Sequence, residues 1–397
     1  MSPSPDRRST GAGPQGAAGE DGSPHVAAGS ASGSAPVASS APGAGVYSIS
    51  WTYLAISVAL SLASMGVVLY FTYTPGVLEH LKPKRLPGLF IAIAVSLLRV
   101  WVAAVRLRFL ADRQVSLAAA VRLVLSWDFA SSVTPSTIGG APAATLFMTR
   151  EGIPLGRSTI IILYGVLLDQ MWYALAVPIL LLSGLFLPVV PAEAGLVGRF
   201  TMLLIYAGLL AYGLVLAYGL LVNPRVIRRL VNRTFRLPVL RRVRGKIEAE
   251  SEHLEAYSHE LRQKPRSFLV RAYMLTVATW LCRIALPVIV VLSLLPAQEV
   301  LLVLRSLSMH LAFLVVPTPG GSGGVEGLFY LFIGPLVERE GFVGLAVFAW
   351  RIISYYISIG LGVVAVSWYL NSKGARPGAA RNDGIQTGRR QTDGQGA

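Results

Sequence analysis

The chain contains eight long apolar stretches, and they constrain its fold more than any other feature of the sequence. A helix needs about 20 mostly apolar residues to cross the hydrocarbon core of a bilayer. Hydrophobic residues make up 53% of the chain and charged residues only 14%, unlike a soluble globular protein. The sequence therefore predicts an all-α polytopic membrane protein. The stretches cover residues 51–73, 86–110, 117–147, 158–187, 200–222, 268–295, 300–337 and 342–370.

Two of these stretches are interrupted by proline and glycine. The first break reads VTPSTIGGAP from Val133, and the second reads VPTPGGSGG from Val316. Neither can continue a regular helix, and irregular backbone is tolerated at membrane depth only inside protein or along a watery cavity. A matched pair of such breaks, one in each half of the chain, is typical of inverted-repeat transporters whose site lies near the midplane.

The basic loop at residues 223–267 predicts the orientation of the chain. Nine arginines and lysines and no acidic residue lie between Asn223 and Ile247, and such loops stay in the cytoplasm. Basic residues near other span ends, including Arg106, are assigned to the same side. Counting crossings from this loop predicts about six full spans and two re-entrant hairpins. Residues 117–147 would enter from the inner face and residues 300–337 from the outer face.

The chain ends and the charge balance limit the other functions. Residues 1–46 and 372–397 have the composition of disordered tails, which leaves residues 47–371 as the transmembrane domain. The net charge of +15 is concentrated in loops, so it favours contact with anionic inner-leaflet lipids and not nucleic acid. We expect a multi-pass protein of the cell membrane with both termini in the cytoplasm, no cofactor and no bound metal. The single cysteine, Cys282, permits no internal disulfide.

Four sequence motifs, taken in order, resemble those of the lysylphosphatidylglycerol synthase transmembrane (flippase-like) family. They read SVTPSTIGGAPAATLFMTREGIPL, LYGVLLDQMW, VVPTPGGSGGVEG and AWRIISYYISIGLG. The third contains the family pattern Pro-x-Pro-Gly-Gly-x-Gly-x-x-Glu, which ends here at Glu326. The resemblance covers roughly residues 51–370. It implies an integral membrane domain that moves a lipid between leaflets, and the sequence after residue 370 predicts neither the aminoacyl-transferase nor the glycosyltransferase to which such domains are fused.

Five charged residues within the apolar stretches are candidates for a substrate site, because an ionisable side chain inside a membrane is functional by default. Glu326 follows the second break, and it can either stabilise a helix N-terminus or titrate and receive a headgroup. Asp169 needs a basic partner, for which the sequence suggests Arg351. That pair can be structural or can belong to a substrate site. Arg99 and Arg283 can each extend toward the membrane surface or bind a phosphate.

The residues of the two breaks are expected to shape the same site. Glycine lets the backbone approach a ligand closely, and helices that begin after a break present free N–H groups to an anion. The candidates for substrate binding from the breaks are Thr134, Gly139, Gly140, Thr318, Gly320, Gly321, Ser322 and Gly323.

The function that these features predict is translocation of a polar lipid headgroup between leaflets. The lipid would be an anionic or aminoacylated phospholipid or a polyprenyl-phosphate-linked lipid. Two alternatives stay open, namely an ion-coupled transporter of a small solute and a membrane-embedded partner of a lipid-modifying enzyme. The sequence contains no recognisable catalytic motif, so we do not expect an enzyme. A homo-oligomer is compatible with all of these readings.

Overall fold

The computed structural model describes residues 51–72, 87–133, 140–223, 259–260, 263–294, 296–316, 318, 320–337 and 341–371. In these ranges the regular elements are helices and no strand is present. The predicted tails and most of the basic loop at residues 223–267 lie outside them. The main helices are α1 (Trp51–Thr72), α2 (Pro87–Leu110), α3 (Leu117–Val133), α4 (Gly140–Arg150), α5 (Leu155–Ser183), α6 (Gly195–Leu221), α7 (Arg266–Leu294), α8 (Glu299–Ala312), α9 (Gly324–Ile333), α10 (Gly341–Arg351) and α11 (Ile357–Asn371).

Five helical stretches in the described ranges are long and apolar enough to cross a membrane. They confirm the prediction of a polytopic all-α membrane protein. The stretches are Pro87–Leu110, Leu155–Ser183, Ala192–Gly219, Arg266–Leu294 and Gly341–Tyr369. Helix α1 is not among the five, so the count of six full spans stays a prediction.

Each interrupted stretch folds as two short helices that pack against each other. Helix α3 packs on α4 and α8 packs on α9. Helix α3 has 17 residues and α8 has 14, whereas α4 has 11 and α9 has 10. At a rise of 1.5 Å per residue even α3 reaches only about 26 Å, less than the hydrocarbon core of roughly 30 Å. The described parts of each stretch are therefore a pair of short packed helices, called a helical hairpin below, and whether either pair re-enters the membrane stays a prediction.

The two hairpins belong to separate apolar clusters, which the long helices connect. The α3–α4 hairpin packs with the N-terminal half of α5 and the C-terminal half of α2. The α8–α9 hairpin packs with the C-terminal halves of α5 and α7. Because α5 contributes one half to each cluster, the hairpins lie at opposite ends of this helix. Whether they enter a membrane from opposite faces stays a prediction.

Small residues allow the helices around the hairpins to approach closely. A Cβ atom at Gly88 of α2 would collide with the side chain of Ser293 on α7. A Cβ atom at Gly362 of α11 would lie 2.9 Å from the carbonyl oxygen of Leu125 on α3. The first contact joins the two long central helices, and the second joins the last span to the first hairpin.

The last span is not a regular α-helix along its whole length. A π-helical segment, Ile352–Tyr356, lies between α10 and α11. Such segments are rare and occur frequently at functional sites. The segment follows Arg351 directly and contains Ser354 and Tyr355, which face the cavity described below.

Candidate functional site

Residues of both hairpins line a cavity of about 250 Å³. The last turn of α3 contributes Ser131 and Ser132, which directly precede the first break. The second break contributes Thr318, Gly320 and Gly321. The end of the helix before the first break and the described residues of the second break therefore line one cavity. The other lining residues are Arg99, Asp128, Trp280, Arg283, Leu286, His310, Phe313, Leu314, Val316, Val325, Trp350, Arg351, Ser354, Tyr355 and Ser358.

The glycines of the second break adopt backbone conformations that other residues avoid. Gly320 has a φ of 60° and Gly323 a φ of 89°. At Gly320 a Cβ atom would also lie 2.7 Å from the ring of Tyr355. Both the backbone conformation and the lack of space therefore exclude a side chain at this position. The chain turns at these residues and then begins α9 at Gly324. Glycine is required here because it alone has no steric penalty at positive φ.

Glu326 and Arg351 form a buried ion pair beside the cavity. The side chain of Glu326 is fully buried and Arg351 is 3% exposed. The Nε atom of Arg351 donates to Oε1 of Glu326 at 2.7 Å, and the N–H of Gly323 donates to Oε2 at 2.9 Å. The Glu326 carboxylate thus has two roles: it neutralises Arg351, and it stabilises the N-terminus of α9. Its own side chain does not line the cavity, whereas that of Arg351 does.

Arg99 and Asp128 form a second ion pair in the cavity wall. The Nη2 atom of Arg99 donates to Oδ2 of Asp128 at 2.7 Å. The pair joins α2 to α3, so one arginine and one carboxylate from adjacent elements meet at the first hairpin. The second hairpin repeats this arrangement through Glu326 and Arg351.

Arg283 differs from the other two arginines of the cavity. It forms no ion pair with any carboxylate in the described part of the chain, and its guanidinium carbon lies 5.3 Å from the centre of the Trp280 ring. Arg305, also buried, donates instead to the carbonyl oxygens of Pro188 and Phe332. The hydroxyl oxygen of Thr318 is buried and has no hydrogen-bond partner among the described residues. The cavity therefore offers one cation and one hydroxyl for a ligand.

The predicted pair between Asp169 and Arg351 is wrong. Arg106 donates to Oδ1 of Asp169 at 2.7 Å, and the indole N–H of Trp280 donates to the same oxygen at 3.0 Å. The place of Arg106 near a span end predicts that it faces the cytoplasmic side. In the structure it lies inside α2, where it also donates to Thr276. Asp169 does not line the cavity, and it contacts the lining through Trp280.

The structure places the predicted site residues at different distances from the cavity. Six of them line the cavity: Arg99, Arg283, Arg351, Thr318, Gly320 and Gly321. Ser322, Gly323 and Glu326 lie directly behind it, with Ser322 Oγ 3.4 Å from Nη2 of Arg351. Gly140 begins α4 against Ser131 and Trp127, where a Cβ atom would collide. Thr134 and Gly139 lie outside the described residues.

Several lining residues were not predicted. Asp128 has a charge in an apolar stretch and could have been chosen on that ground. Ser132 is the first residue of the motif SVTPSTIGGAPAATLFMTREGIPL and Ser131 directly precedes it, whereas Ser354 and Tyr355 belong to the motif AWRIISYYISIGLG. Hydroxyl and aromatic side chains are also common in ordinary helix packing, so their type alone carried no signal.

These features define a class: a polytopic α-helical membrane protein with two helical hairpins and a polar cavity between them. The chain matches the family described as the lysylphosphatidylglycerol synthase TM region over residues 41–362, and it belongs to that family. A curated relative from Archaeoglobus fulgidus, a UPF0104 membrane protein, is 26% identical over 336 residues. That match covers 79% of this chain and 96% of the relative. No solved structure matches the chain significantly.

Proposed function

We propose that this protein moves the polar headgroup of a membrane lipid between the two leaflets, with the headgroup passing through the cavity. The observation that carries the proposal is that three arginines, the end of α3 before the first break and the described residues of the second break line one cavity. Irregular backbone and buried cations are costly within a membrane unless they serve a polar ligand. A phosphate-bearing headgroup is a ligand that arginine binds well.

A lipid fits the cavity better than a free hydrophilic solute does. Alongside its charged groups the wall contains Leu286, Phe313, Leu314 and Val316, so one molecule with polar and apolar parts matches both surfaces. The family description names a phospholipid-modifying enzyme, which also favours a lipid substrate. In this proposal the chain is a transporter without a catalytic step, and a separate enzyme makes the lipid.

The proposed topology follows from the basic loop. We propose that the protein lies in the cell membrane with both termini in the cytoplasm, that the hairpins re-enter from opposite faces, and that residues 223–267 contact anionic lipids of the inner leaflet. Single cysteines placed in this loop, in a Cys282→Ser background, should resist membrane-impermeant reagents in intact cells. Labelling from outside would contradict the topology.

The transport proposal can be tested in reconstituted vesicles. Lipids with a fluorescent acyl chain and different polar headgroups are added to both leaflets, and an impermeant reductant then removes the signal of the outer leaflet. A lipid that the protein moves continues to lose signal beyond the outer-leaflet fraction, whereas vesicles without protein do not. Failure to move any polar lipid in the panel would contradict the proposal and would favour a partner or scaffold role.

A matched pair of variants connects transport to the cavity. Ser354→Phe adds a ring to the cavity wall, and Val364→Phe adds the same ring to the exposed face of α11. We expect the first variant to slow translocation strongly and the second to leave it unchanged. Both variants should be checked for folding by thermal unfolding, because overpacking costs about 1–3 kcal/mol. Equal activities of two folded variants would remove the cavity from the transport path.

A further inference from the structure

We infer that the cavity selects a headgroup with a single net negative charge, a phosphodiester without a compensating amine, and that Arg283 and Thr318 bind its phosphate oxygens. The inference rests on the proposed translocation function and narrows its substrate class. It excludes an aminoacylated, net cationic headgroup as the preferred substrate of this chain.

The first argument is the charge of the cavity wall. Three arginines line the cavity, and two carboxylates, Asp128 and Glu326, are paired with two of them at 2.7 Å. Within the described residues this leaves the charge of Arg283 without a carboxylate partner. At membrane depth a cation without a counter-charge is costly, because the dielectric constant there is low, and a ligand with one negative charge removes that cost. A ligand with a net positive charge would increase it.

The second argument is that three of the four aromatic residues in the cavity wall, Trp280, Trp350 and Tyr355, already have an arginine guanidinium near the ring. The guanidinium carbon of Arg351 lies 4.1 Å from the centre of the Tyr355 ring, and that of Arg283 lies 5.3 Å from the Trp280 ring. A lysyl or choline ammonium binds proteins well when it can stack on free aromatic faces. Here such a group would meet rings that arginines occupy, so the aromatic residues do not form a cage for an ammonium ion.

The third argument is the set of donors that remain for a ligand. A guanidinium presents a planar fork of N–H groups that matches two phosphate oxygens. The hydroxyl of Thr318 is a second donor, and it is buried and without a partner in the described part of the chain. His310 is less suited, because its Nδ1 atom already donates to the carbonyl oxygen of Ser306 at 2.8 Å. Arg283 from α7 and Thr318 from the second break thus line the same cavity, where their donors can bind one small anion.

Binding and translocation should be measured separately with defined probes. The purified full-length protein in detergent is titrated with phosphatidylglycerol, lysyl-phosphatidylglycerol and phosphatidylcholine, and bound lipid is counted by native mass spectrometry. We expect phosphatidylglycerol to bind at least about tenfold more tightly than the other two lipids, a difference of about 1.4 kcal/mol. A fourth arm uses water-soluble glycerophosphoglycerol, the deacylated form of phosphatidylglycerol, because it carries the same phosphodiester with one negative charge. Tighter binding of the soluble ester than of the lipid would overturn the lipid assignment.

Variants of α7 test the role of Arg283. Arg283→Gln should weaken phosphatidylglycerol binding about tenfold to a hundredfold, the range expected for a charge-assisted hydrogen bond. Arg283→Lys should retain part of the binding. Arg271→Gln removes the same charge from an exposed position earlier on α7 and should change nothing. Thr318→Val keeps the shape and removes the hydroxyl, so a loss of about threefold to tenfold is expected.

The outcomes distinguish this inference from the transport proposal. Selective binding of phosphatidylglycerol without translocation would support the inference and contradict transport. Equal translocation of all three lipids would support transport and overturn the inference. If Arg283→Gln does not fold, the inference is judged from the relative affinities of the unmodified protein for the three lipids. Preferred binding of lysyl-phosphatidylglycerol would overturn the inference whatever the variants do.

Discussion

Replacing Glu326 by glutamine should destabilise the protein strongly, because the carboxylate is the buried partner of a buried arginine. Glu326 is fully buried, Arg351 is 3% exposed, and their atoms are 2.7 Å apart. Removing one member of such a pair leaves the other charge without compensation and typically costs about 3–5 kcal/mol. Glutamine keeps one accepting oxygen, but its amide group would face either Arg351 or the N–H of Gly323, and both of these are donors.

The size of the effect can be measured in a double-mutant cycle. Glu326→Gln, Arg351→Gln and the double variant are unfolded in detergent, and the free energies of unfolding are compared. We expect each single variant to lose about 3–5 kcal/mol and the double variant to lose clearly less than the sum. Losses that add within about 0.5 kcal/mol would refute the reasoning, since additive effects indicate residues that do not interact.

A more exposed ion pair of the same length provides the control. Lys264 donates to Asp112 at 2.7 Å and Arg157 donates to it at 2.9 Å, but the side chains of Lys264, Arg157 and Asp112 are 22%, 20% and 31% exposed. Exposed pairs contribute only about 0–1 kcal/mol, so Asp112→Asn should have a small effect. Asparagine also tolerates the positive φ of 51° at this position. A loss at Asp112 as large as that at Glu326 would show that burial does not determine the magnitude.

Two further predictions concern helix packing and the corrected ion pair. Gly362→Ala should destabilise by about 1–3 kcal/mol because its Cβ atom would meet helix α3, whereas Gly360→Ala meets nothing within 4 Å and should stabilise by up to about 1 kcal/mol. Thermal unfolding of the two variants, which lie in one helix, compares these signs directly. Asp169→Asn and Arg106→Gln should each cost about 1.5–3 kcal/mol and be coupled in a cycle. Asp169→Asn and Arg351→Gln should instead be additive, and coupling between them would contradict the structure.

The sequence predicted the helices and the breaks because both depend on local composition. An apolar stretch in lipid must satisfy its backbone hydrogen bonds internally, so it forms a helix. The bounds of that helix agree with those of the apolar run to within a few residues. For example, the stretch predicted at residues 268–295 is α7, Arg266–Leu294. Proline and glycine at the second break predicted correctly that α8 and α9 are separate helices.

The ion pairs could not be predicted in the same way, because they depend on how helices rotate against each other. Several arginines lie deep enough in the apolar stretches to pair with Asp169. Depth and the family motif favour Arg351 among them, but neither shows which way the side chains point. Helix α2 turns Arg106 toward α5 and α7, where Asp169 and Thr276 lie. A basic residue near the end of a span, such as Arg106, suggests a position at the membrane surface, but its long side chain can also point inward between helices. Apolar patterning is nearly uniform around these helices, so it gave no direction for the charged side chains.

The two ion pairs of the cavity have a consequence for the biogenesis of the protein. Inserting an isolated arginine at the centre of a membrane costs about 2.5–3.5 kcal/mol on the translocon scale. Arg99 and Asp128 are separated by 29 positions, and Glu326 and Arg351 by 25, so each pair joins segments that leave the ribosome shortly after one another. The second segment of each pair can therefore neutralise the charge of the first soon after both have entered the bilayer. Of the three arginines in the cavity wall, Arg283 alone has no such carboxylate among the described residues, so its cost is not offset in this way during insertion.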